Sequence, residues 1–211
     1  MIEKWEYGGS YISYPIKSAV PYNIDENIIM VHDLTDELPD FMKKADILFI
    51  DPTWNLRNLN TFYMKARLIP RLETYEEFYK ILFKRISEIK PKLCFVEIGK
   101  EYLADFIMEM KKLFKYVTFY NSTYYNNNKN ICYIVQGSEK RLNLKLDGMD
   151  EEKIIEFICK NIEYNCIGDI CMGRGLVGLN SYLNNKNFVG IELNHKRLSV
   201  LLENISKIKY S

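Results

Sequence analysis

The segment CIGDICMGRGLVG, Cys166 to Gly178, says more about the fold than any other stretch of the chain. Cys166–Ile170 is an apolar run of strand length, Gly173, Gly175 and Gly178 make a G-x-G-x-x-G turn, and Leu176–Leu183 continues with helical period. A strand that turns on glycines into a helix N-terminus brings bare backbone N–H groups close to a ligand. The next strand, Phe188–Ile191, runs into Glu192, 19 residues beyond Gly173, where an acid can take the hydroxyls of a ribose. Taken alone, this spacing is a weak signal and is also the dinucleotide fingerprint.

Outward from this unit, strand-length apolar runs recur at Ile28–Val31, Asp46–Ile50, Leu93–Val96, Tyr116–Tyr120 and Ile131–Val135. Segments of helical period alternate with them, at Thr74–Ile89, Glu101–Phe114, Glu151–Ile162 and His195–Ile208. In the first helix Phe78, Ile81, Leu82 and Ile86 form an apolar stripe that Arg85 interrupts. Such alternation predicts an α/β fold with a mostly parallel sheet and helices on both faces. The polar stretch Tyr124–Lys129 predicts a turn between two strands, and hence one antiparallel hairpin.

The 211 residues suit a single domain, 1–211, large enough to bury a core. Residues 1–27 hold several Tyr, Gly and Pro but no period, so their role stays open between covering the sheet, touching a substrate and packing on a second subunit. Net charge is +1, so no global basic field announces a polyanion, and any such contact must be a local patch. The five cysteines form no C-x-x-C pair and lie in or beside apolar runs, which reads as reduced thiols without disulfide or metal. His32 and His195 have no catalytic or metal-ligand spacing. With no signal-peptide segment and no membrane-length apolar run, the expectation is a soluble cytoplasmic protein.

Five strands run directly into acids: Asp33, Asp51, Glu97, Asp169 and Glu192. In a parallel sheet the carboxyl ends share one edge, where α/β proteins bind ligands. One such acid is ordinarily a helix cap. Five on one edge repel one another unless a cation or a donor-rich ligand sits among them. Asp169, four residues before the first glycine, separates the cofactors. It would face the pyrophosphate of a dinucleotide, whereas S-adenosylmethionine brings an ammonium, a sulfonium and no phosphate.

These residues resemble the permuted, or beta-class, DNA amino-methyltransferases. The family's D-P-F-x-G-S-G-T-T-G loop stands here as DICMGRGLVG, and its F-I-G-I-E-x-N strand as NFVGIELN, Asn187 to Asn194. Its G-D-x-L-x-x-L-P…V-D-L-I-x-x-D-P-P-Y stretch stands as HDLTDELPDFMKKADILFIDPTW, His32 to Trp54. The catalytic segment precedes the cofactor loop, as in that class, and the likeness covers 32–54 and 166–208. The resemblance implies a Rossmann-like class I methyltransferase sheet in circularly permuted order, with S-adenosylmethionine as cofactor. It assigns the Asp51 carboxylate and the Pro52 carbonyl to the target amine, and Trp54 to stacking on the base. It also assigns Asp33 to the donor's adenine, Asp169 to its methionine end, Gly173 and Gly175 to close backbone approach, Glu192 to its ribose, and places Met172 among the cofactor-binding residues. Glu97 receives no role and reads as structural. Thr53 replaces the second proline, Arg174 replaces a serine, and no inserted target-recognition domain is visible.

After Trp54, the stretch Asn55–Arg71 reads as a loop with four cations and no acid. It is the candidate surface for nucleic-acid phosphates, with Arg57, Tyr63 and Arg67 as substrate contacts. The implied partner is nucleic acid, DNA in the first instance, with target recognition supplied by a homodimer or a partner subunit. Methylation of RNA or another amine, and a non-catalytic subunit of the same fold, are the alternatives.

Overall fold

The computed structural model describes residues 2–124 and 127–209. After a 3-10 segment at Lys4–Gly9 come α1 (Ser10–Ser13), β1 (Tyr22–Ile24), β2 (Asn27–Val31) and β3 (Ile47–Ile50). Next are α2 (Leu56–Lys65), α3 (Tyr75–Ile89), β4 (Leu93–Ile98), α4 (Leu103–Leu113), β5 (Tyr116–Tyr124) and β6 (Asn127–Ser138). The last third holds β7 (Met149–Asp150), α5 (Glu151–Asn161), β8 (Cys166–Asp169), α6 (Leu176–Leu183), β9 (Asn187–Glu192) and α7 (His195–Lys209). Among the described residues they form one sheet in the order β1-β2-β9-β8-β3-β4-β6-β5-β7.

The consecutive strands β2, β9, β8, β3 and β4 are all parallel. β6 runs against β4, and β5 against β6, which makes the expected hairpin. The five acid-ended strands are these same five, so their carboxyl ends do share one edge. β3 and β4 are buried along their whole length, which explains their unbroken apolar runs: both faces are covered. Ile47 and Phe49 point into the core with Ile158 and Leu198, while Leu48 and Ile50 point into the other with Leu82 and Phe106.

Local chemistry sets the helix ends. Thr74 and Glu77 form a reciprocal capping box that starts α3, and Lys90 ends it in the left-handed conformation. Arg85, the charged interruption in that helix's stripe, is buried for a reason. Its Nε donates to the Leu34 carbonyl at 3.1 Å and its Nη2 to the Asp36 carbonyl at 2.6 Å, while Glu88 neutralises the charge at 2.9 Å. It thus fastens the turn after β2, one wall of the cavity described below.

Three expectations need correction. The stretch Asn55–Arg71 is not a plain loop, because Leu56–Lys65 is helical, capped by Asn55 accepting from the Asn58 N–H at 2.9 Å. Buried Leu59 and Tyr63, four apart, give α2 an inner face that its polar neighbours Asn58, Asn60 and Thr61 conceal in the sequence. The turn expected at 124–129 is shorter, since β5 extends to Tyr124 and β6 begins at Asn127. Residues 125–126 lie outside the described residues. Two short strands went unseen: β1, which pairs with β2 across a tight turn, and β7, which lies beside β5; both are too short to show a period.

Within residues 1–27, the first turns pack on α7 and β1 joins the sheet. Lys196 pairs with Glu6 and lies over the rings of Trp5 at 4.4 Å and Tyr11 at 4.8 Å, and Ser10 donates to Glu203. No helix among the described residues is long and apolar enough to cross a membrane.

Candidate functional site

A cavity of about 370 Å³ opens at the carboxyl edge of the sheet, between β2, β3, β9 and α2. Asp33, Asp51 and Glu192 line it, together with Pro52, Trp54 and Arg197. Glu192 is the last residue of β9, Asp51 follows β3 directly and Asp33 comes two residues after β2, so the shared carboxyl edge of the sheet brings them together.

Asp51 follows β3 and lines the cavity. Burial pushes its carboxyl up to about 6, against the opposing charge of Arg197 and hydrogen bonding from Tyr124 and Trp54. The Tyr124 hydroxyl donates to Asp51 Oδ2 at 3.3 Å, and its ring meets Trp54 edge-on at 5.4 Å. Behind Trp54 lies Gly99: a Cβ there would come within 2.9 Å of the indole, so glycine lets the ring sit flat against the end of β4. The Tyr75 hydroxyl donates to the Thr53 carbonyl and fixes the chain between Pro52 and Trp54. Thr53, in place of a second proline, keeps its own hydroxyl buried without a partner.

Asp33 both caps a turn and lines the cavity. Its Oδ1 accepts from the Thr35 N–H at 2.9 Å, as a turn cap does, yet the side chain also reaches the cavity wall. The Tyr63 hydroxyl donates to both Asp33 oxygens at 2.9 Å, and Arg71 stands 3.6 Å away. Tyr63 lines the cavity too, and its hydroxyl holds Asp33.

On the glycine loop, Glu192 ties the turn from within. Its Oε2 accepts the Gly173 N–H at 2.7 Å and its Oε1 the Asn194 N–H at 3.0 Å. Gly173 and Gly175 have φ of 56° and 78°, the left-handed region where glycine is favoured. Asp169 accepts the Cys171 N–H at 2.9 Å and is 4 % exposed; burial pushes its carboxyl well above the usual range. Met172 is equally buried and packs against Gly190. The loop reaches the cavity surface through Ile170 and Cys171; Asp169, Met172, Gly173 and Gly175 lie behind it. Arg174 points to solvent, so its size costs no packing.

Sequence reasoning missed three site residues. Arg197 lies over the Phe62 ring at 4.6 Å and against Gly173, with Asp51 and Glu192 attracting its charge. Tyr124 arrives from a stretch that reads as a turn. Gly99 carried only the weak signal of a glycine directly after a strand. Arg57 and Arg67, by contrast, are exposed and lie off the cavity, although Lys65 of the same segment lines it.

No family model matches this sequence, and no curated protein matches it. Solved structures do match its fold. The Thermus thermophilus protein TTHA0409, a candidate DNA modification methylase solved with S-adenosyl-L-methionine, superposes with a TM-score of 0.61 at 13% identity, covering 85% of this chain and 94% of its own. The cytosine-N4-specific PvuII DNA methyltransferase gives 0.58 at 12% identity, with 93% and 95% covered. M1.HpyAVI gives 0.53 at 14% identity, with 84% and 98% covered. The fold is that of the class I methyltransferases, mostly parallel with an antiparallel hairpin.

Proposed function

We propose that the chain is an S-adenosylmethionine-dependent methyltransferase of the permuted amino-methyltransferase kind, acting on the exocyclic amino group of adenine in DNA. The observation that carries this reading is Asp51, a carboxylate at the end of an inner strand, followed by Pro52 and Trp54 and facing a cavity walled by two further acids. Those acids suit a cationic nucleoside and oppose a pyrophosphate. Chain order supports the permuted class, since the Asp51 segment precedes the glycine loop. The likeness in fold to DNA methyltransferases supports the reaction.

When bound, the donor supplies a methyl group on a sulfonium. Glu192 would take its ribose hydroxyls, Asp33 its adenine edge, and the loop Asp169–Gly175 its methionine end. The Asp51 carboxylate and the Pro52 carbonyl accept the N–H groups of the target amine. That pulls the nitrogen toward a tetrahedral form and frees a lone pair otherwise conjugated into the ring. Trp54 offers a face on which the base stacks, a contact worth about 1–3 kcal/mol. In a duplex the base first leaves the stack. Positioning and electrostatics then supply the catalysis, with no covalent intermediate. Exposed Arg57 and Arg67 would contact backbone phosphates outside the cavity, and a second copy or a partner subunit would supply target recognition. The N4 amine of cytosine is the second reading, favoured by the likeness to the PvuII enzyme.

Incubation with methyl-labelled donor and duplex DNA, single-stranded DNA or RNA tests the proposal. Label on DNA adenine, lost in Asp51→Ala, is the expected result. Label confined to RNA overturns the substrate. No label anywhere, with no donor binding by calorimetry, overturns the enzyme and leaves a non-catalytic subunit.

A further inference from the structure

Next to Asp51 in the sheet, a second group of acids lies off the cavity. The parallel register of Ile50 with Val96 sets Asp51 alongside Glu97, whose side chain is 1 % exposed. Cys132 of β6, fully buried, and Glu151, the first residue of α5 and 6 % exposed, complete a group whose donor atoms all lie within 4.8 Å of one another. Oε1 of Glu97 and Oε2 of Glu151 are sealed from solvent with no donor on them, and the two carboxyls face each other closely enough to share a proton, with the Cys132 thiol beside Glu97. A buried acceptor without a donor is costly, and two of them turned into one cluster call for a common partner.

We propose that Glu97, Cys132 and Glu151 form a buried divalent-metal site, and that the ion it takes is zinc. Two carboxylates and a thiolate provide three anionic donors. The sulfur favours a borderline-soft ion over magnesium or calcium, which take oxygen ligands. Zinc lies about 2.3 Å from a thiolate and about 2.0–2.2 Å from a carboxylate oxygen, so donors this close can converge on one ion. Binding forms one Zn–S and two Zn–O bonds and releases the thiol proton, with any proton the carboxyls share, to solvent; nothing is oxidised or reduced. Three protein ligands leave one place of a tetrahedral zinc set unfilled. The three ligands come from β4, β6 and α5, so the ion would pin the antiparallel half of the sheet to the strand beside Asp51. Their wide separation in the chain explains why no metal spacing shows in the sequence. The inference stands apart from the methyltransferase reading and does not need it.

The test uses the full chain purified without chelator. Elemental analysis should find about one zinc per chain. After chelation, titration with cobalt(II) should give tetrahedral d–d bands and a thiolate-to-metal charge-transfer band. Cys132→Ser should lose the charge-transfer band, and Glu97→Gln should lower metal affinity by about tenfold or more. Circular dichroism checks that both variants fold. Wild-type chain with neither zinc nor a cobalt spectrum overturns the proposal and leaves a proton-sharing carboxyl pair. Cobalt bands unchanged in Cys132→Ser overturn it too.

Discussion

On the β3 side of the cavity, Asp51 and Trp54 present their side chains at the wall, whereas on the opposite side the glycine loop turns Asp169 and Met172 inward to 4 % exposure each. Both segments carry equally legible motifs. The first exposes side chains because β3 ends under a cavity and the following residues are fixed by contacts from behind, Tyr75 on Thr53 and Gly99 on Trp54. The second consumes its polar side chains in its own turn: Asp169 holds the Cys171 N–H and Glu192 the Gly173 N–H. If the β3 wall acts through side chains and the glycine loop mainly through backbone shape, substitutions should have different signatures on the two.

Asp51→Ala is the sharpest way to break that comparison. Methyl transfer in single turnover should fall by about 10²–10³-fold, with donor affinity by calorimetry nearly unchanged. A parallel loss of donor binding would mean the two walls are not separable. Trp54→Ala should come next, with the apparent affinity for DNA weakened by about 1–3 kcal/mol in a transfer assay and donor binding intact. Arg197→Gln tests the charge that joins the walls. Asp51 must be ionised to accept N–H groups, so activity should fall as pH drops through about 6, and the variant should move that midpoint upward because the opposing cation is gone. A midpoint that stays put or falls would detach Arg197 from Asp51. Arg174→Ser should do least: the side chain is exposed, and thermal unfolding should shift by less than about 0.5 kcal/mol.

The parallel sheet and its acid-ended strands were legible because buried strands must be continuously apolar, and the first acid after such a run marks its end. Asp33, Asp51 and Glu192 meet in space for that reason alone. What escaped depends on packing between distant segments. Tyr124 reaches Asp51 only because β5 runs past its apolar stretch, and Arg197 reaches the cavity only because α7 starts beside the glycine turn. α2 does not show as a helix in the sequence because its inner face is two residues among amides. The Tyr63–Asp33 hydrogen bond joins residues 30 apart and leaves no local pattern in the sequence.

If carboxylates on this rim select a positively charged nucleoside without phosphates, the two candidate cofactors must separate in solution. Calorimetric titration of the wild-type chain with S-adenosylmethionine and, separately, with a nicotinamide dinucleotide tests this most directly. Saturable binding of the methyl donor at one per chain, with no heat from the dinucleotide, is the predicted result. Binding of the dinucleotide in preference to the methyl donor would contradict it.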